Sequence, residues 1–268
     1  MDIVPSRGAL GAEIHGVDLA QPLGDNMLAT LRQALLDHLV IVFRDQKLSL
    51  EQHKAFARHF GPLQVFTFRY ARPLGEHPEV LRVVKEPNER EVFAGEWHAD
   101  VTFMEKPSLG SLLYALETPP RGGDTLFANM YLAYDTLSPT MQGLIDGLVC
   151  VHETEVPDQG DLGSGRLARY GTEHPVVATH PETGRKLLFV NKTYSKQIKE
   201  LSAEESEALL GFLCRHATQP EHVWRLQWQP GTLAFWDNRC TQHRPMNDYH
   251  GHRREMHRVT IERADRVA

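Results

Sequence analysis

Cysteine is scarce in this 268-residue chain. Cys150, Cys214 and Cys240 are an odd count with no Cys-x-x-Cys spacing, which excludes a disulfide framework or a cysteine-built zinc site as the organising feature. Positive charge is not in excess either. With 29 Lys and Arg against 35 Asp and Glu, the net charge is −6, so there is no general footprint for a polyanion and nucleic acid is disfavoured as the main partner. No stretch approaches the roughly 18 apolar residues of a membrane span, and Met1-Asp2-Ile3-Val4-Pro5 shows no basic segment followed by an apolar one. A soluble, cytoplasmic protein with no membrane partner is expected. No repeat, low-complexity tract or linker divides the chain. The Gly-rich run Asp158-Gln159-Gly160-Asp161-Leu162-Gly163-Ser164-Gly165 lacks the Gly-Lys-Ser/Thr ending of a phosphate loop. At 41% hydrophobic residues, a chain this long can bury roughly three quarters of its unfolded surface, and residues 1–268 are read as one domain.

What is present is a β-rich pattern flanked by well-signalled helices. Asp25 opens a helix to about His38, with Leu28, Leu31, Leu35 and Leu36 as its apolar stripe. Ser49 with Gln52, Ser138 before Pro139, and Ser202 with Glu205 mark three further helix starts, the last running from Ala203 to His216. Short β-forming runs lie between them: Val40 to Phe43, Leu112 to Leu116, Thr125 to Phe127, Leu187 to Val190, Leu233 to Trp236 and Val259 to Ile261. The expectation is a mainly β fold with helices flanking an antiparallel core. The weakly patterned stretch from Glu153 to Glu173 reads as an active-site lid, and the loop from Phe66 to His77 as a second lid candidate.

The chemistry begins at Trp97-His98-Ala99-Asp100. In an extended strand His98 and Asp100 project to one side and Ala99 to the other, so an imidazole and a carboxylate reach a common point. A distant histidine would complete a 2-His-1-carboxylate triad, which holds Fe(II) with three positions open. His243, after the apolar run to Trp236 and the turn-forming Asp237-Asn238, supplies that imidazole. Arg254 and Arg258 follow in a segment that becomes β-branched, and their even spacing puts both on one strand face with Met256. Two guanidinium groups on one face repel unless they meet anions, and Arg suits bidentate carboxylate or sulfo-oxygen recognition. His250, His252 and His257 also cluster, but in a polar loop without cysteine they read as solvated rather than zinc-binding.

Several segments together carry a resemblance: Trp97-His98-Ala99-Asp100-Val101-Thr102-Phe103, Gly122-Gly123-Asp124-Thr125, Trp236-Asp237-Asn238-Arg239 with Gln242-His243, and Arg253-Arg254-Glu255-Met256-His257-Arg258. The chain resembles the taurine dioxygenase family of Fe(II)- and 2-oxoglutarate-dependent dioxygenases. The resemblance starts at Leu10-Gly11-Ala12-Glu13-Ile14, passes through Phe43-Arg44-Asp45-Gln46 and lasts nearly to the C-terminus. It implies a double-stranded β-helix, or jelly-roll, core. It also implies that His98, Asp100 and His243 ligate iron, that Thr125 and Arg254 bind the distal carboxylate of 2-oxoglutarate, and that Arg258 holds the acidic group of the prime substrate. The implied reaction uses O2, converts 2-oxoglutarate to succinate and CO2, and hydroxylates a small acidic molecule. The resemblance suggests a homo-oligomer, either dimer or tetramer.

For the prime substrate, Phe66 and Ala94 stand where a taurine enzyme would carry a histidine and an asparagine. A pocket lined by Phe66, Phe68, Val101 and Tyr194, with Arg258 at one end, suits an apolar or aromatic body bearing a single acid. Ser138-Pro139-Thr140-Met141-Gln142, His174-Pro175-Val176-Val177 and Leu188-Phe189-Val190-Asn191 look like the aryloxyalkanoate (phenoxypropionate) dioxygenases of the same family. An aryloxyalkanoate cleaved to a phenol and a 2-oxo acid is the expected substrate. The alternatives are an alkyl sulfonate or alkyl sulfate ester, as in taurine-like enzymes, or a non-catalytic protein that binds a small anion on the same fold.

Overall fold

Burial on both faces of its central strands governs this molecule. The computed structural model describes residues 1–66, 73–157 and 167–267. The first half of the chain runs β1 (Asp2–Pro5), β2 (Ala12–His15), α1 (Asp25–His38), β3 (Val40–Phe43), α2 (Leu50–Arg58), β4 (Pro73–Leu74), β5 (His77–Lys85), β6 (Gly110–Glu117), β7 (Thr125–Asn129), α3 (Met130–Asp135) and α4 (Pro139–Ile145). The second half runs β8 (Val149–Pro157), β9 (Leu167–Pro175), β10 (Val177–Thr179), β11 (Lys186–Leu188), β12 (Ser195–Ile198), α5 (Ala203–Ala217), β13 (Val223–Leu226), β14 (Leu233–Asp237), β15 (Thr241–Pro245) and β16 (Arg254–Ile261).

The strands β1-β2-β3-β14-β6-β16-β5-β4 form one sheet, antiparallel except between β2 and β3. A smaller sheet, β13-β7-β15, packs on it. On β14, Leu233 and Phe235 face the helices and meet Leu31, Leu35 and Phe56, whereas Ala234 and Trp236 face the small sheet and meet Phe127 and Leu226. A strand covered on both sides reads as a continuous apolar run, which is why this segment shows no alternation. The two faces bury two separate cores, and the site lies on the sheet-to-sheet side. Gly110 opens β6 because a Cβ there would lie 2.5 Å from the Trp236 carbonyl oxygen.

The expected helix starts are present, with both capping boxes formed at Ser49 with Gln52 and Ser202 with Glu205, and Ser138 capping α4. At α1 the cap is Gly24 rather than Asp25, which sits inside the first turn. Helix α3 has no counterpart in the sequence reading. Six residues are too few to show a 3.6-residue period, and its signal is Asn129, whose side chain accepts from the Tyr131 and Leu132 amides.

Two expectations need correction. The segment 153–173 is largely not a loop: Glu153–Pro157 and Leu167–Glu173 belong to β8 and β9, paired from Val149↔Pro175 to Pro157↔Leu167. The buried positions of this pair, Cys150, His152 and His174, lie just outside 153–173, whose own described residues are half-buried or exposed and so carry no apolar alternation. The proposed lid tip, 158–166, lies outside the described residues, as does 67–72 of the second candidate. The other correction is that His98 and Asp100 do not share a regular strand. His98 forms a single bridge with His243, Asp100 begins a turn, and Val101 follows with φ 48°. Tertiary clamping overrides the β preference of Val101, Thr102 and Phe103.

Burial also sets an acid limit on the fold. His53 and His152 are buried, and burial pushes each imidazole down to about 3. Unfolded, each would bind a proton near pH 6.5, so as pH falls the unfolded state takes up protons first. Stability is therefore fully present above about pH 6.5 and is lost toward pH 3, by about 1.4 kcal/mol per pH unit for each histidine. Urea unfolding at stepped pH is expected to show this slope, and His53→Met to remove about 1.4 kcal/mol per pH unit from it. A slope unchanged by that substitution would contradict the assignment.

Candidate metal and cosubstrate site

His98 and His243 are locked opposite each other by two backbone hydrogen bonds, His98 N to His243 O at 3.1 Å and His243 N to His98 O at 2.8 Å. Side chains at such a directly opposed pair lie side by side, and the two rings are 4.2 Å apart between centroids. The Nε2 atoms of both face the same oxygen, Asp100 Oδ1, at 3.7 and 3.8 Å. All three groups are buried, and their ligand atoms lie within 4.8 Å of one another. His98 Nδ1 is 2.7 Å from the Glu96 carbonyl oxygen; a proton held there donates to that carbonyl and leaves the Nε2 lone pair inward. Burial pushes both imidazoles down, with Asp100 partly opposing this, so they stand neutral, the form that ligates metal.

The carboxylate is held as carefully as the imidazoles. Burial alone would raise Asp100, but Arg258, His243 and His98 outweigh it and hold the group at about 2. Its second oxygen, Oδ2, meets Arg258 at 2.5 Å and accepts from Ser111 Oγ at 3.1 Å. Oδ1 is thereby left for the metal. The backbone on either side of the ligand is clamped by one buried amide: Asn238 accepts from the Asp100 N–H at 2.7 Å and donates to the Asp100 and Ser108 carbonyls at 3.0 and 3.1 Å. Asn238, read from the sequence only as a turn former, thus holds the chain where Val101 takes its left-handed conformation.

Beside the triad lies a pocket of about 640 Å³, counted out to its mouth, lined by His98, His243, Thr125, Phe127, Trp236, Arg254 and Arg258 among others. On β16, Arg254, Met256 and Arg258 do share the buried face, as their spacing predicts. Burial pulls Arg254 down to about 10, so it remains cationic at neutral pH, yet its Nε and one terminal nitrogen have no hydrogen-bond partner. Thr125 opens β7 after Gly122 and Gly123, whose φ values of 74° and 70° turn the chain into the strand. Its hydroxyl accepts from Trp228 Nε1 at 3.0 Å, which leaves its own proton to donate. Trp228 also lies under Arg254, 5.7 Å from guanidinium carbon to ring; nothing in the sequence reading pointed to it. A neutral His, His and carboxylate set fits Fe(II), and unpartnered buried donors at Arg254 fit a carboxylate.

Of the residues expected to line a substrate pocket, Phe66, Val101 and Tyr194 come together, with Leu81, Phe103 and Met104. Phe68 lies outside the described residues. Tyr194 is 6.5 Å from the His98 ring, and Leu81 is the register partner of Arg258, so this apolar cluster adjoins both metal ligand and arginine. Ala94, at φ 54°, lines the pocket with Arg254 instead.

Among the described residues a second set, His180, Asp237 and Cys240, is close enough to hold a metal. Asp237 is already taken by Arg239 through both oxygens, at 2.8 and 2.6 Å, and by His180 at 3.1 Å. Burial raises the Cys240 thiol well above its usual range. That set is an internal tether. The cluster of His250, His252 and His257 forms no such group.

The family model for the taurine catabolism dioxygenase TauD, TfdA family matches residues 2–260. The chain is 34% identical to an alkylsulfatase of Acinetobacter baylyi, covering 95% of this chain and 82% of that one. It is 35% identical to the (S)-phenoxypropionate/alpha-ketoglutarate-dioxygenase of Sphingobium herbicidovorans, covering 90% and 88%. A taurine dioxygenase from Burkholderia xenovorans superimposes with a TM-score of 0.85 at 38% identity, covering 97% and 90%. With this triad in place, the chain belongs to the TauD/TfdA family and is an Fe(II)- and 2-oxoglutarate-dependent dioxygenase.

Proposed function

We propose that the small organic acid this dioxygenase oxidises is an aryloxyalkanoate, hydroxylated at the carbon beside the ether oxygen so that the product collapses to a phenol and a 2-oxo acid. The observation that carries this reading is the cluster of Phe66, Leu81, Val101 and Phe103 with Tyr194, in which Tyr194 lies beside His98 and Leu81 is the register partner of Arg258. An aryl ring packs against such side chains, and a single carboxylate meets Arg258. Taurine would bring a buried ammonium to a cluster where Phe66 offers no side-chain acceptor.

When bound, iron and 2-oxoglutarate supply the oxidising power, O2 being reduced as the oxo acid loses CO2 to become succinate. His98, Asp100 and His243 would hold the metal, and Arg254 with Thr125 the distal carboxylate. Phe127, Leu113 and Trp236 line the pocket with apolar surface that keeps water out. Arg258 has a double task. It grips Asp100 Oδ2 through one nitrogen, while its Nε has no partner, so the group that sets the ligand carboxylate also faces the incoming acid.

An alkyl sulfate ester or sulfonate is the second reading, because a guanidinium binds sulfo-oxygens as readily and the alkylsulfatase is about as similar as the phenoxypropionate enzyme. Substrate-dependent succinate formation across both enantiomers of phenoxypropionate, medium-chain alkyl sulfates and taurine separates them. The aryloxy acids are expected to exceed taurine by about tenfold or more in kcat/KM. Alkyl sulfates ahead of every aryloxy acid would favour the second reading, and taurine ahead of both would overturn the argument from Phe66.

A further inference from the structure

Lys85 ends β5 inside the cosubstrate pocket. Its side chain is buried at 3% exposure, its ammonium has no hydrogen-bond partner, and it rests 4.7 Å from the centroid of the Tyr249 ring. A buried ammonium without an anion is costly. Its register partner on β16 is Arg254, so two cations stand on one face of adjacent strands, each with unpartnered donors. Like charges directly opposite are destabilising. Tyr249 joins both to the pocket wall and offers a ring to the ammonium, but no carboxylate.

Position along the strands decides which anion they share. Arg258, at the metal end, lies four residues beyond Arg254, about 13 Å along β16. Lys85 is level with Arg254 and so stands at the end of the pocket away from Asp100.

We infer that Lys85 is a second cationic contact for the distal carboxylate of 2-oxoglutarate, completing a clamp with Arg254 and Thr125. The inference rests on the proposed role of Arg254. It makes the enzyme selective for a dicarboxylic 2-oxo acid by two charges rather than one.

The test uses anaerobic calorimetric titrations of the whole protein loaded with Mn(II). The ligands are 2-oxoglutarate and 2-oxopentanoate, which has the same chain length but no distal carboxylate. Lys85→Met, which keeps the length of the side chain, is expected to weaken 2-oxoglutarate binding about ten- to hundredfold while leaving 2-oxopentanoate unchanged. Lys85→Arg is expected to recover most of the loss. Unchanged 2-oxoglutarate binding in Lys85→Met, alongside a loss in Arg254→Met, would overturn the inference and leave the role of Arg254 standing. Equal weakening of both 2-oxo acids would make Lys85 a structural residue and overturn it too. If Arg254→Met also binds 2-oxoglutarate normally, the assignment of the carboxylate site itself fails.

Discussion

His98→Ala is expected to lower succinate formation by about three orders of magnitude or more, since even the outer partners of metal ligands are worth about ten- to hundredfold in affinity. The reason is geometric. Both Nε2 atoms converge on one oxygen of Asp100, and removing an imidazole leaves a carboxylate and a single nitrogen, too few ligands to retain Fe(II) against water. The fold should survive, because the bridge that positions residue 98 is made by backbone atoms at 2.8 and 3.1 Å and does not use the ring. Circular dichroism should therefore be native while metal affinity collapses. A variant that keeps both metal affinity and turnover would show that the triad is not the catalytic centre.

Arg258→Ala is the second large effect, and it should appear in two measurements. Without the guanidinium, the acid of the prime substrate loses its counter-charge, so succinate formation should become slow and independent of that substrate. Asp100 also loses the cation on Oδ2. Breaking a buried ion pair by removing one partner costs about 3–5 kcal/mol, so the metal-free variant should melt well below the native protein. A divalent ion restores a positive charge beside the same carboxylate, so Mn(II) should recover more stability in the variant than in the native protein. Melting curves with and without Mn(II) check this. Equal Mn(II) stabilisation of the two proteins would mean that Arg258 does not support Asp100.

Where the chemistry lies was legible in the sequence to a large degree, for physical reasons. Side chains that meet across a site by strand periodicity announce themselves, as Arg254, Met256 and Arg258 do on one face of β16. Capping chemistry likewise placed α2 and α5, because a Ser followed three residues later by Gln or Glu has few other uses, and α4, where Pro139 follows the capping Ser138. The supporting parts were hidden. Asn238 clamps Asp100 over a separation of 138 residues, and Trp228 reaches Thr125 over 103, contacts that no local pattern encodes. Lys85 carries no local signal of a role, and it is the register with Arg254 that places it, buried, in the same pocket. The strand reading of His98 and Asp100 brought the right groups together by the wrong backbone. A single bridge and a turn closed by Asn238 achieve the convergence that alternation suggested.

The most direct test of the account is an anaerobic optical titration of the protein with Fe(II) and 2-oxoglutarate. A visible metal-to-ligand charge-transfer band is expected that needs both additions, saturates at one iron per chain and is absent in His98→Ala. No band with both additions, or a band of equal strength in His98→Ala, would contradict it.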